Sequence, residues 1–207
     1  MKIKTLQVGS FEVNCSLLIS DDAQALVVDP GQESERILSA LAAAKATPIA
    51  ILLTHGHFDH INGVEALLAK FPEIKVYVSA ADVQVMAHPM NAMPPEYLPL
   101  RLPAARLATL DASELVFAGF PTIQPIATPG HTPGGVSYFI PEEKLLLSGD
   151  TLFAGSVGRT DLPGGDMATL MKSLDALKRL PPETTVIPGH GMFTTIEREC
   201  KGNMFLQ

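Results

Sequence analysis

The stretch "LLTHGHFDHING", residues 52–63, places His55, His57, Asp59 and His60 within six positions. The chain has 207 residues and six histidines, so half of its imidazoles are crowded into this one segment. Buried or like-charged rings gain little from such crowding unless they share a cation. The residues leading into it, "IAILLT" (49–54), form a short continuous apolar run, the pattern of a strand buried on both faces. The polar cluster is therefore expected in the loop that follows a buried strand.

Three later segments repeat this local design: "ATPGHTPGG" (127–135) with His131, "LLLSGDTLF" (145–153) with Asp150, and "TVIPGHG" (185–191) with His190. In each, an apolar strand runs into a turn containing Gly or Pro, and a metal-capable side chain sits in the turn. Open α/β sheets build their sites beyond the carboxyl ends of strands, so four such ends can converge on one crevice. Taken alone, His131 or His190 reads as a hydrogen-bonded loop histidine and Asp150 as a turn cap. Taken with the cluster they complete a set of seven: His55, His57, Asp59, His60, His131, Asp150 and His190. Neutral imidazole and carboxylate are the ligands of hydrolytic zinc. Two four- or five-coordinate ions need about this many groups if one carboxylate bridges them and solvent fills the open positions. His88, at a helix end before Pro89, reads as structural.

The flanking sequence supports layered α/β construction. Strands are expected at 11–20, 25–28, 49–54, 75–79, 114–117, 122–127, 136–140, 144–147 and in "TTVIP". Helices are expected at 33–44, where Ile37, Leu38, Leu41 and Ala44 recur at helical spacing, and at 64–71, 80–87 and 195–200. A further helix begins after Asp166, a suitable N-cap, with Leu170, Met171, Leu174 and Leu177 on one face. The proline-bearing segment between Pro89 and Arg106 shows no period and reads as an irregular excursion, either a lid or padding.

Composition narrows the classes. Hydrophobic residues make up 46% and charged residues 18%, which suits a compact domain and not a disordered chain. The formal charge is −7, the pI is near 5.3, and no Lys/Arg stripe is present to track a phosphate backbone, so nucleic acid is a poor partner. The N-terminus lacks an unbroken apolar core and reads as mature protein, and no run approaches the roughly 20 apolar residues of a membrane span. Two cysteines, Cys15 and Cys200, suggest no disulfide scaffold. A cytoplasmic protein without membrane contact is expected.

The residues Thr54-His55-Gly56-His57-Phe58-Asp59-His60, followed in order by His131, Asp150 and His190, closely resemble the signature of the metallo-β-lactamase superfamily, T-H-x-H-x-D-H with downstream His, Asp and His. The resemblance runs from "VNCSLLIS" to "PGHG". It implies an α/β fold, the four-layer αββα sandwich, formed by 1–207 as a single domain with the site at one edge of the paired sheets. By position, it implies that His55, His57 and His131 hold one metal, that Asp59, His60 and His190 hold a second, and that Asp150 bridges both. Two divalent ions are implied, zinc first, with iron or manganese as alternatives.

Within the superfamily, "TPGHTPGGVSYF" and "SGDTLFAGSVGRTDLPGGD" are most similar to the short bacterial type of glyoxalase II, the hydroxyacylglutathione hydrolases. That resemblance implies hydrolysis of a small-molecule thioester such as S-lactoylglutathione by a hydroxide shared between the metals, with Asp59 and Asp150 as the catalytic carboxylates. A thiolate with a pKa near 8.5 leaves without a strong general acid. Two departures touch the substrate: full-length glyoxalase II continues into a helical region where only 17 residues follow His190 here, and Met192 stands where a tyrosine is usual. Arg159, where a lysine is frequent, keeps a cation for a substrate carboxylate, against the plain reading of a salt-bridged surface arginine.

Rival readings are a mono-iron persulfide dioxygenase of the same fold, which also shows a "GRTD" run like 158–161 and uses only positions matching His55, His131 and Asp150, and a non-catalytic metal-binding module. The "LPGGD" continuation (162–166) favours the hydrolase branch, and ligands placed in open loops disfavour the module. β-Lactamase activity is disfavoured by the absence of an export segment, the nuclease branches by the acidic balance, and the electron-transfer members by His57, where they carry glutamate.

Overall fold

The computed structural model describes residues 1–92, 98–111 and 113–207. The chain opens with an antiparallel meander, β1 (Lys2–Val8), β2 (Val13–Ile19) and β3 (Gln24–Val28). Alternating units follow: α1 (Ser34–Ala43), β4 (Thr47–Leu52), α2 (Phe58–Ile61), α3 (Val64–Lys70), β5 (Lys75–Ser79), α4 (Ala80–Met86) and β6 (Leu107–Leu110). These make a six-stranded sheet in the order β1-β2-β3-β4-β5-β6, parallel from β3 to β6.

The second half builds β7 (Gln124–Ala127), β8 (Val136–Ile140), β9 (Leu145–Gly149), the small hairpin β10 (Leu152–Phe153) and β11 (Ser156–Val157), α5 (Met167–Leu177), β12 (Thr185–Pro188), β13 (Thr194–Thr195) and α6 (Ile196–Gly202). Its five-stranded sheet has the order β13-β12-β9-β8-β7.

Strand alternation explains why these elements stack in four tiers. On β2 and β3, Leu17, Ile19, Ala25 and Val27 face α1 and α3 through Ile37, Leu41 and Leu67. Their neighbours Leu18, Leu26 and Val28 face the other way, onto Val136, Tyr138, Ile140, Leu145, Leu147 and Ile187 of the second sheet. On the far side of that sheet, Phe139, Leu146 and Val186 meet Leu170, Leu174, Leu177 and Ile196 of α5 and α6. Side chains two apart share a face, so both sheets are apolar on both faces and must be covered twice. Three apolar layers between four tiers are the αββα sandwich. β4 shows it most plainly: Ala50 and Leu52 enter the inter-sheet layer while Ile51 faces the helices. The buried Tyr138 hydroxyl crosses the sandwich to donate to the Leu53 carbonyl at 2.8 Å.

Most expected elements appear within a residue or two. Asp166 caps α5 by accepting from the Thr169 amide at 2.7 Å, and Thr195 caps α6 in the same way from Arg198. The strand expected at 114–117 shrinks to an isolated bridge, Leu115 to Ile123. β1 was not anticipated because as an edge strand it exposes Lys2, Ile3 and Lys4 and shows no clean alternation. α2, at four residues, is too short to show a period. In the excursion before Arg106, residues 93–97 lie outside the described residues, and short 3-10 turns occupy Pro89–Ala92 and Ala104–Arg106. Among the described residues no helix is long and apolar enough to cross a membrane.

Candidate metal centre

β3 and β4 run parallel, and β7, β9 and β12 share one direction, because β8 is antiparallel to both of its neighbours and β12 is parallel to β9. Their carboxyl ends deliver the seven expected side chains to one rim: β4 leads to His55 and His57, β7 to His131, β9 to Asp150 and β12 to His190, while α2 carries Asp59 and His60. The structure brings all seven together. Ligand-capable atoms of His55, His57 and His131 lie within 4.8 Å of one another, as do those of Asp59, His60 and His190. Asp150 stands between the two groups, with Oδ1 3.5 Å from His60 Nε2 and Oδ2 3.5 Å from both His131 Nε2 and His190 Nε2. Asp59 Oδ2 is 3.3 Å from His190 Nε2.

Hydrogen bonds on the outer side of the rings fix which nitrogen faces inward. His131 Nδ1 donates to the Arg159 carbonyl at 2.7 Å, and His190 Nδ1 donates to the Phe11 carbonyl at 2.7 Å. His60 Nδ1 meets Asp29 Oδ2 at 3.0 Å. Thr54 donates its hydroxyl to Asp29 Oδ2 at 2.6 Å and so accepts from His55 Nδ1, 3.1 Å away. In these four rings the Nε2 lone pair is left facing the cluster, a tautomer set by the surrounding acceptors. On His57, Nδ1 faces inward, 2.9 Å from His131 Nε2.

Within this cluster three buried polar atoms, His55 Nε2, His57 Nε2 and Asp150 Oδ1, have no hydrogen-bond partner. A buried group left unsatisfied costs about 1–3 kcal/mol, and two of these atoms, His55 Nε2 and Asp150 Oδ1, face the cluster, where the other ligand-capable atoms converge. A pair of cations would answer them, so this donor set fits two metal ions.

The two groups differ in charge character. Burial, and after it the neighbouring rings of His60, His131 and His57, hold His55 well below the ordinary imidazole value. Burial and His131 bring His57 down to about 3. Burial acts the same way on His190, but Asp150 and Asp59 outweigh it and raise the ring to about 11. His60 is likewise raised against its burial by Asp59, Asp150 and Asp29. Burial would lift Asp150 and Asp59 out of the ionised range, yet the imidazoles around them, His60 foremost, keep both below the usual carboxylate value.

Sequence reasoning missed three bracing residues. Asp29, buried and at positive φ (49°), accepts from the Thr54 amide at 2.8 Å as well as from Thr54 Oγ1 and His60, so one carboxylate orients ligands of both groups. It had a signal: "ALVVDPG" is another apolar strand running into a Pro-Gly turn with a carboxylate in it. Asp82 on α4, fully buried, takes hydrogen bonds from the Gly56 amide (2.8 Å), Thr132 Oγ1 (2.8 Å) and the Gly134 amide (2.7 Å), tying the His55–His57 loop to the His131 loop. Burial outweighs these donors and raises its pKa. Asn91 spans Gly56, Val85 and Met86 carbonyls and accepts from the Phe58 amide. Nothing local marks Asp82 or Asn91. Close approach also explains Gly189, where a Cβ would lie 2.0 Å from Asp150 Oδ1 and 2.8 Å from His60 Cε1.

The structure places Arg159 beside the first group through its backbone, while its exposed guanidinium forms a bidentate pair with Asp161 at 2.7 Å for both contacts. His88 stays outside the cluster and accepts from the Met90 amide. Both cysteines are free, and Cys15 is buried, its thiol pushed up by burial and by Asp29.

A sandwich of this topology, with His/Asp clusters at the carboxyl ends of its strands, is that of a metal-dependent hydrolase. Residues 8–190 match the family model of the metallo-beta-lactamase superfamily, and the chain belongs to that superfamily. It is 39% identical over 210 residues to the probable metallo-hydrolase YqgX of Bacillus subtilis, covering 100% of this chain and 98% of that one. It is 33% identical over 213 residues to the hydroxyacylglutathione hydrolase GloC of Haemophilus influenzae, with the same coverage. Among solved structures, the BLEG-1 B3 metallo-beta-lactamase superposes with TM-score 0.90 at 38% identity over 99% of each chain. A di-iron-bound form of TTHA1623 does so at 0.88 and 36% over 98% of this chain and 100% of that one. ETHE1 from Myxococcus xanthus follows at 0.80 and 28%, over 99% and 84%.

Proposed function

We propose that this metallo-hydrolase cleaves thioesters, with S-acylglutathiones such as S-lactoylglutathione as the substrate class. The observation that carries this reading is the pairing of two complete ligand groups around a shared carboxylate with end-to-end likeness to a hydroxyacylglutathione hydrolase. His55, His57 and His131 would hold one ion, Asp59, His60 and His190 the other, and Asp150 would serve both. When bound, two divalent ions supply an activated water at neutral pH and a Lewis acid for the thioester carbonyl. Zinc suits this donor set, and iron or manganese is accommodated by the same nitrogen and oxygen ligands.

The chain's own residues do the rest. Asp29, through Thr54 and His60, and Asp82, through Gly56, Thr132 and Gly134, lock the ligand loops so that little reorganisation is needed during reaction. Asp59 and Asp150, held below the usual carboxylate value, stay ionised and supply the anionic ligands. The thiolate departs unprotonated, so no dedicated acid is required. Arg159 can exchange Asp161 for a substrate carboxylate, because an exposed pair of this kind is worth little. The acidic surface disfavours a nucleic-acid substrate, and two free cysteines suit the reducing cytoplasm.

Metal analysis of protein purified without added metal, joined to S-lactoylglutathione hydrolysis followed by absorbance, tests the reading. Two ions per chain with thioester turnover are expected. One iron per chain, no turnover and oxygen uptake with glutathione persulfide would replace it with the persulfide dioxygenase, a second reading favoured by the likeness to ETHE1. A chromogenic cephalosporin belongs in the same panel because of BLEG-1; cleavage of it without thioester turnover would also overturn the proposal.

A further inference from the structure

The surroundings of the metal centre are lopsided. On the His131 side stands the charged pair Arg159–Asp161, attached through the Arg159 carbonyl. On the side of Asp59, His60 and His190 the neighbours are aromatic. Phe11, in the turn between β1 and β2, accepts the His190 Nδ1 proton on its carbonyl, while its ring, 43% exposed, meets Phe58 edge-on at 5.3 Å. Phe58 lies between His57 and Asp59 in the chain and is half-buried. Phe153 on β10, also half-buried, has its ring centre 6.3 Å from that of His190. Met192, two residues beyond His190, is 71% exposed.

The turn carrying Phe11 is held in place and does not drape loosely over the site. The Asn14 amide donates to the Gly189 carbonyl at 2.7 Å, and its side chain donates to the Pro188 and Gly191 carbonyls at 2.9 and 3.0 Å. Those bonds fix Phe11 to the strand end that carries His190. Partly exposed aromatic rings grouped beside a polar centre mark a surface that a ligand completes.

We propose that Phe11, Phe58 and Phe153 form an apolar arc that receives the acyl chain of the thioester, making the enzyme selective for uncharged, chain-like acyl groups, with the thiol portion directed toward Arg159. This rests on the thioester reading and deepens it. Neither the ligand set nor the bracing carboxylates account for the Phe11–Phe58 pair beside Asp59 and the Phe153 ring beside His190. A short hydroxyacyl group such as lactoyl offers these rings little apolar surface, whereas a longer alkyl chain offers more with each methylene. The three rings are therefore specificity-determining and take no part in bond making.

Binding of S-alkylglutathione thioethers, in which an alkyl chain stands in place of the acyl group, tests the arc without turnover. With zinc-loaded protein in a calorimeter, affinity should rise about twofold per methylene, half of what full burial of a methylene gives, or about 30-fold from methyl to hexyl. Phe11→Ala and Phe58→Ala should each reduce that ratio to about fivefold or less, with metal content and methyl-derivative affinity unchanged, and Phe11→Leu should retain most of it. A flat series in the wild type, or a gradient that survives both alanine variants, overturns the proposal. Turnover of S-hexanoyl- and S-lactoylglutathione separates the two layers of inference. Hydrolysis of both with a flat binding series removes the arc alone, whereas a binding gradient with neither thioester hydrolysed removes the thioester reading and the acyl assignment together.

Discussion

The two ligand groups of this centre lie side by side, yet the protein prepares them in opposite ways. His55, His57 and His131 make a buried pocket of imidazoles in which burial and mutual repulsion keep His55 and His57 neutral. Asp59, His60 and His190 make a mixed pocket in which carboxylates pull protons onto the rings. The first is ready for a cation as it stands. The second holds protons where an ion would sit, so metal and proton compete there. Asp150 reaches toward both and is the one side chain whose loss should collapse the distinction.

The largest effect is therefore expected from Asp150→Ala. Turnover should fall to background, and metal analysis should show fewer than two ions per chain, since neither group retains its shared carboxylate. An Asp150→Ala protein that keeps two ions and full turnover would remove Asp150 from the centre. Next comes Asp82→Ala, which touches only the first group. It leaves the Gly56 and Gly134 amides and the Thr132 hydroxyl without their acceptor and frees the His55–His57 loop from the His131 loop. Loss of such an outer partner costs about 10–100-fold in metal affinity, and titration should show that loss for one ion while the other binds as before. Equal weakening of both ions would mean the two groups are not braced separately.

How the site was legible follows the same division. The first-half ligands announce themselves because four of the seven share one loop, and because β4 is apolar on both faces and ends where the histidines begin. His131, Asp150 and His190 carry weaker signals, each a single residue in a Gly/Pro turn, and gain meaning only from their common position after strands. Asp29 was as visible as Asp150, since it too ends an apolar strand, but its role depends on facing Thr54 and His60, which only the paired strands β3 and β4 decide. Asp82 and Asn91 could not be found from sequence, because burial of one polar residue on a short helix is a property of what packs against it. Layered α/β construction was readable from the apolar strands and the helical spacing, whereas the four tiers were implied by the superfamily resemblance and are explained by strands apolar on both faces. The two edge strands of the first sheet, β1 and β6, were not readable, because exposure erases the alternation that identifies them, although β7 at the edge of the second sheet was expected at 122–127.

The proton inventory sharpens the comparison further. At pH 7 metal-free His190, with its pKa near 11, carries a proton that an incoming ion must displace, and His60 is raised in the same sense. His57, near 3, is already deprotonated there and loses none. Zinc titrated into metal-free protein should thus release on the order of one to two protons with the ion of the second group and fewer with that of the first. Calorimetry in buffers of different ionisation enthalpy reads this directly. The sign is fixed by the direction of the shifts: protons on His60 and His190 compete with the ion, so the affinity of the second group falls as pH is lowered from neutrality, whereas His55 and His57, held below the ordinary imidazole value, add no such competition there. Equal proton release for the two ions would erase the contrast.

The smallest effect belongs to Arg159→Ala, and it asks whether backbone and side chain at this position have separate work. His131 is oriented by the Arg159 carbonyl, which alanine retains, so metal content, the two binding phases and kcat should not change. The guanidinium touches Asp161 and solvent and is free to meet an anionic substrate group. If it does, KM for S-lactoylglutathione should rise roughly two- to fivefold, the range expected of an exposed ion pair, and the rise should shrink in high salt because exposed charges are screened. An unchanged KM would leave the guanidinium as Asp161's partner only. A fall in metal content would instead show that the Arg159–Asp161 pair helps hold the carbonyl against His131, and would move Arg159 from the substrate side of the centre to the bracing of the first group.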